Sequence, residues 1–305
     1  MVEVLNGLLR ANLIGSLAIL AVLVLRLIAR RRFGPEVAYR LWAIPPLAAA
    51  ATLLPLKTFK GNAVIHPLAN LVPGEFAPWL FAAWVAGFVL VAVAMWRAQV
   101  MFLRAARCGE AGPAVVGVIA PRLIMPPDDG RYSPEERALI RAHERAHIQR
   151  QDPRDGALIV ALQCVAWFNP LVHLAAHLAR LDQELACDAA VLRGHPSART
   201  LYAKTLLKAQ LAGATLPLGC YWPARGRHPL EVRVALLTRP AADASLAGPM
   251  LILTTAVLAA ALAWAAEPPT PFTPPVPALV AAAPDANAGH MSVMLVTRRA
   301  PNARR

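Results

Sequence analysis

The chain has 305 residues, 57% of them hydrophobic and only 16% charged, with a formal net charge of +13. This balance points to a membrane protein rather than a water-soluble domain. The basic excess does not mark a nucleic-acid binder: residues 97–245 hold 19 basic against 13 acidic residues, mostly outside runs, and anionic lipid headgroups account for the rest.

Four apolar runs read as transmembrane helices, at about 11–29, 41–56, 76–96 and 246–266. Pro45-Pro46 interrupt the second, which leaves its ends open. Arg30, Arg31, Arg32 and Arg40 follow the first run, and Arg97, Arg104 and Arg107 follow the third, whereas the loop after the second carries only Lys57 and Lys60. The positive-inside rule then places the N-terminus and the tail outside and residues 98–245 in the cytoplasm. The expected organisation is a membrane region over 1–97, a cytoplasmic domain over 98–245, a fourth span over 246–266 and an extended Pro-rich tail over 267–305. The first run ends in a basic cluster rather than a small-residue cleavage site, so it reads as an anchor. Cys108, Cys164, Cys187 and Cys220 form no C-x-x-C pair, which excludes a zinc ribbon and a disulfide framework.

Within the cytoplasmic insert, 114–119 and 122–125 are short β-prone runs around a turn at Ala120-Pro121, expected to make a hairpin or edge strands. Ser133-Pro134-Glu135-Glu136 is a helix start with a capping box, which predicts a helix over 134–150. A second helix is expected over 153–168 with Asp152 as its N-cap, and a third over 171–192 after the Asn169-Pro170 break. The very apolar stretch 157–178 also carries Gln163, His173 and His177. It reads as a fifth span, an interfacial segment, or helices packed into the domain core at the membrane face. The last is favoured, because a full crossing would separate the two halves of the site described next.

The helix over 134–150 carries His143-Glu144-x-x-His147. Residues four apart share a helix face, so His143 and His147 can aim nitrogens at one ion, while Glu144, turned by about 100°, can reach a water beside it. Zinc suits this donor set: it makes the water acidic, and Glu144 takes and relays the proton. A third ligand is needed, and Glu184 in L-D-Q-E-L-A-C-D is the best candidate, with Asp188 one turn further on placed to hydrogen-bond a ligating histidine. The bland reading of that pair, a charged helix face, fits the periodicity equally well. Asp152 could orient a ligand or only cap the next helix. His173 and His177 repeat the spacing without the glutamate and read as core or membrane-facing histidines. Cys187, one turn from Glu184, is a weaker ligand candidate.

The segments H-E-R-A-H-I-Q-R-Q-D, W-F-N-P-L-V-H and D-Q-E-L-A-C-D-A-A-V-L, together with three apolar runs before them and one after, resemble the BlaR/MecR family of bacterial membrane zinc metallopeptidases. The resemblance implies a mainly α membrane protein with a gluzincin-like zinc domain of helices and a small β hairpin, inserted between the third and fourth spans. It implies His143, His147 and Glu184 as zinc ligands and Glu144 as general base. Its implied substrate is a cytoplasmic protein such as a repressor, cut in response to an outside signal. The E-x-x-x-D pattern is also similar to HtpX-type quality-control proteases, and a membrane adaptor with a structural metal is the non-enzymatic alternative. Sensors of that family carry S-x-x-K after the last span, and no serine after Ala266 has a lysine three residues later. β-Lactam acylation is therefore not expected. The Pro-rich tail suggests an envelope partner, and self-association is left open.

Overall fold

The computed structural model describes residues 1–53, 71–108, 112–125, 127–211, 229–237 and 247–265. The expectations for the end of the second span and its loop, for Cys220 and for the tail lie outside them.

Among the described residues, two helices are long and apolar enough to cross a membrane by length and composition, α1 (Val2–Arg32) and α4 (Ala77–Arg107). Gly34-Pro35 stops α1, since proline disfavours the helical conformation in the residue before it, and a short α2 (Pro35–Arg40) follows. The expected second run is, in its described part, a 3-10 turn at Leu41–Ala43 and the eight-residue α3 (Ile44–Ala51). The last apolar run forms α10 (Ala247–Ala265). The first run contains one charge, Arg26, and the structure buries it.

Between α4 and α10 come the two-stranded antiparallel sheet β1 (Ala114–Val116) and β2 (Arg122–Ile124), with Val115 opposite Leu123. The first strand ends three residues sooner than expected, and the connection spans 117–121, taking in the predicted Ala120-Pro121 turn. Gly117 has φ +101°, and a Cβ there would meet the Ala120 carbonyl oxygen at 2.7 Å. Five helices follow: α5 (Pro134–Gln149), α6 (Asp152–Val165), α7 (Pro170–Gly194), α8 (Arg199–Leu211) and α9 (Pro229–Leu237). The capping box on α5 forms as the sequence predicts, Ser133 accepting from the Glu136 amide and Glu136 accepting from the Ser133 amide.

Helix α7 ties the molecule together. Its first half packs Ala175 and Ala179 into a core with Ile19, Val22 and Ala29 of α1 and Tyr39 and Trp42 beyond it. In its second half, Val191 joins Leu139 of α5, Tyr202 of α8 and Leu237 of α9 in a separate core. Buried Asp182 lies between the two and bonds Arg26 and Arg30 of α1 and the Trp42 indole.

Helix α4 docks on the α6–α7 connection through indoles: Trp84 Nε1 donates to the Val165 carbonyl, and Trp167 Nε1 to the Trp84 carbonyl. Gly87 permits this contact, for a Cβ there would lie 2.1 Å from the Trp167 ring. Gly87→Ala should therefore lower stability in detergent by about 1–3 kcal/mol through overpacking. Thermal unfolding reads the loss, and adding Trp167→Ala should make it smaller than the sum of the single changes.

Candidate metal centre

Three local features aim side chains at one point. Helix α5 presents His143 and His147 one turn apart, with their Nε2 atoms 3.1 Å from each other. Helix α7 brings Glu184 across, 3.3 Å from His143 Nε2 through Oε2 and 3.5 Å from His147 Nε2 through Oε1. A tight turn then supplies Asp152. After α5, Gln151 takes a left-handed conformation (φ 62°), rare for a residue with a side chain. Helix α6 restarts at once, so the Asp152 side chain points back at α5. Gln151 is the N-cap, not Asp152 as the sequence suggested. The Asp152 carboxylate accepts from His147 Nδ1 at 2.8 Å. Its other oxygen faces Arg150 Nε at 3.5 Å, which pairs two buried atoms that have no hydrogen bond.

Proton counting fixes both imidazoles. Tyr202 donates its hydroxyl to Asp188 Oδ1 at 2.7 Å, so its oxygen can only accept from His143 Nδ1, 2.8 Å away. Both histidines thus have an acceptor for a proton on Nδ1, which leaves Nε2, facing Glu184, as the nitrogen that can ligate an ion when the ring is neutral. Tetrahedral ligand atoms about 2.0–2.1 Å from zinc lie about 3.3–3.4 Å from one another, and the separations above match that spacing. Two neutral imidazoles and a carboxylate are also the donor chemistry of an open zinc site. The residues present fit the ion.

Arg233 of α9 completes the surroundings. Its Nε and Nη2 each reach Asp188 at 2.8 Å, and its Nη1 lies 2.9 Å from Glu184 Oε2. Burial pushes the Glu184 carboxyl up, but Arg233 with His143 and His147 outweighs it and holds the group well below the usual carboxylate range. Glu144 is buried beside His143. Burial raises its carboxyl above the ordinary value, with His143 and His147 pulling the other way. Burial would lower the His147 imidazolium pKa, but Asp152, Cys187 and Glu184 raise it well above normal.

Asp188 and Asp152 both stand beside the histidines, although Tyr202 intervenes between Asp188 and His143, whose direct separation is 3.4 Å. Cys187 faces the opposite edge of His147, 3.4 Å from Nδ1 and 3.3 Å from Asp152. Burial pushes its thiol up to about 12 despite His147, so it is a neutral donor to Asp152. His173 is elsewhere, its Nε2 donating to the Trp167 carbonyl and its Nδ1 accepting from Gln163.

Tyr202 and Arg233 escaped the sequence reading. Tyr202 has no motif around it. Arg233 left a faint signal, a lone cation in E-V-R-V-A-L-L, costly to bury unless paired. Tyr202→Phe removes the acceptor of the His143 proton and should weaken zinc binding about 10–100-fold. Competition with a chromophoric chelator measures this, and an unchanged Kd would mean that Asp188 takes over directly.

A family model described as BlaR1 peptidase M56 matches residues 6–72 and 109–237, more than half of the chain. The first block holds Arg26 and Arg30, and the second every residue of the site. Regulatory protein BlaR1 of Bacillus licheniformis is 37% identical over 81 residues, 27% of this chain. The matched stretch spans only 14% of that relative's length. With more than half its length matched and the site inside the matched blocks, the chain belongs to the BlaR1 peptidase M56 family of membrane-bound peptidases.

Proposed function

We propose that the chain is a membrane zinc endopeptidase of signal transduction that cuts a cytoplasmic protein, such as a transcriptional repressor, at the membrane surface. The observation that carries this reading is the convergence of His143, His147 and Glu184, with both Nδ1 protons spoken for by Tyr202 and Asp152. The regulatory part draws on the name of the Bacillus licheniformis relative. The proposed topology has four spans, with residues 98–245 in the cytoplasm and the N-terminus and tail outside.

His143, His147 and Glu184 would hold the ion. Zinc supplies Lewis acidity there, polarising a peptide carbonyl and making water acidic enough to ionise near neutral pH. Glu144, raised by burial, takes the proton of the attacking water and delivers it to the departing amine. Tyr202 and Asp152 keep the imidazoles in the ligating tautomer. Arg233 compensates the charge of Glu184 and Asp188. The substrate backbone adds along β1, which has a single strand neighbour among the described residues.

Metal analysis of purified protein tests the ligand set, with one zinc per chain expected and little retained by His147→Ala or Glu184→Ala. Comparing the proteomes of cells carrying the parent and His147→Ala tests the activity. One or a few defined fragments, present only with the parent, are expected. Broad loss of misfolded membrane proteins would indicate quality control, and stoichiometric zinc without any fragment would indicate an adaptor.

A further inference from the structure

The α6–α7 connection breaks the backbone ladder at residues 166–169, and several of its polar groups find partners within the turn, in α7 and on neighbouring helices: the Ala166 and Asn169 amides bond the Leu162 and Ala166 carbonyls. The Val165 carbonyl accepts from Trp84 of α4, and the Trp167 carbonyl from His173. Asn169 caps the Leu171 amide, and its Nδ2 donates to Asn12 Oδ1 at 3.0 Å and Ser16 Oγ at 2.8 Å, both on α1. A water-exposed turn needs no such provision. An apolar medium rewards each such bond, because an unsatisfied group there costs several kcal/mol.

Three registers measure how far the turn lies from the basic boundary. On α1, Asn12 is fourteen residues before Arg26, about 21 Å along a helix. On α4, Trp84 and Gly87 precede Arg97 by thirteen and ten residues, about 15–20 Å. On α7, Asp182, bonded to Arg26 and Arg30, is thirteen residues beyond Asn169, about 20 Å. Both limbs start from one level, since Tyr39 donates its hydroxyl to Asp155 of α6 and accepts from Gln183 of α7. On α1, Asn12 is also eighteen residues before Arg30, about 27 Å. A hydrocarbon core is about 30 Å thick, so the registers place the turn at or beyond the midplane, from about half to nine-tenths of the way across.

We propose that α6 and α7 form a re-entrant hairpin whose turn sits among lipid acyl chains, entering and leaving on the side that holds the metal centre. This rests on the membrane location of the chain and not on the metal reading. The site stays on one side because the hairpin does not cross. Of the polar residues that argue against lipid burial, Gln163 bonds both His173 and Arg180, and His177 is half-buried. The outward side chains are apolar, Leu158 being 53% and Phe168 40% exposed, a face that acyl chains fit and water does not.

The test uses the full chain in phosphatidylcholine vesicles, with Cys108 and Cys220 changed to Ser. A single environment-sensitive fluorophore is attached in turn to Phe168→Cys, Leu158→Cys, Leu90→Cys on α4 and Ile119→Cys on the β1–β2 connection. Lipids brominated deep in the acyl chain should quench the label at 168 as strongly as that at 90. Shallow bromines should act best at 158, and aqueous iodide only at 119. Iodide quenching at 168 overturns the proposal, and so does shielding from both quenchers, which would mean a protein cover. Labelling at 168 by an impermeant maleimide added outside intact cells also overturns it, since that requires a full crossing. Should Phe168→Cys fail to fold, the depth at 158 decides. The same depths are expected in a His147→Ala background, so failure of the metal assignment leaves this result intact.

Discussion

Glu144→Gln should bind as much zinc as the parent and cleave its substrate about 10²–10⁴-fold more slowly. Glutamine fills the same buried space beside His143, so the histidines, Tyr202 and Asp152 are not disturbed. What it lacks is the ability to accept a proton and pass it on. Burial holds the parent carboxyl above its ordinary value, closer to the pH at which a base both exists in its charged form and binds a proton well. The two readouts must separate for the assignment to stand, metal content unchanged and turnover lost. Cleavage that survives would remove Glu144 from the chemistry, whereas zinc lost along with activity would make it part of the metal's support.

How much of this was legible beforehand depends on how each residue signals. Ser133 and Glu136 announce α5 because capping is a local interaction, and Asn169-Pro170 announces α7 for the same reason. Helical spacing then brings His143 and His147 together without tertiary information. For Glu184 and Asp188 the spacing alone fits a charged helix face as well as a ligand pair, and it is the fold that separates the carboxylates of L-D-Q-E-L-A-C-D, sending Asp182 to α1, Glu184 to the histidines and Asp188 to Tyr202 and Arg233. Asp152 reads from sequence as either a cap or a ligand-orienting group, and the two are not separable there because the left-handed turn at Gln151 has no glycine to mark it. Arg26 disappeared into its apolar run. A charge there is tolerable only with a buried partner, and that partner is 156 residues away.

That partner gives the largest expected effect on stability. Asp182 is fully buried and takes bonds from Arg26 Nε at 2.6 Å and Nη2 at 3.0 Å, from Arg30 Nη2 at 2.6 Å and from Trp42 Nε1 at 2.8 Å. Asp182→Ala removes the carboxylate that Arg26 bonds through two nitrogens and Arg30 through one, and breaking a buried pair this way costs about 3–5 kcal/mol. Asp182→Asn keeps the shape but not the charge and should fall between. The ion pair need not itself be a net source of stability, because its desolvation offsets much of its attraction. Asp182→Leu combined with Arg26→Met should therefore recover part of the loss seen with Asp182→Ala, Arg30 still losing its Asp182 bond, and thermal unfolding in detergent compares the three. Glu184 lies two residues further along α7, so releasing that helix from α1 should also weaken zinc binding, although Asp182 touches no ligand. If Asp182→Ala unfolds at the parent temperature, the arginines are reached by water and α1 does not hold α7. If it unfolds early but binds zinc with the parent Kd, α5, α8 and α9 position Glu184 without help from the membrane helix.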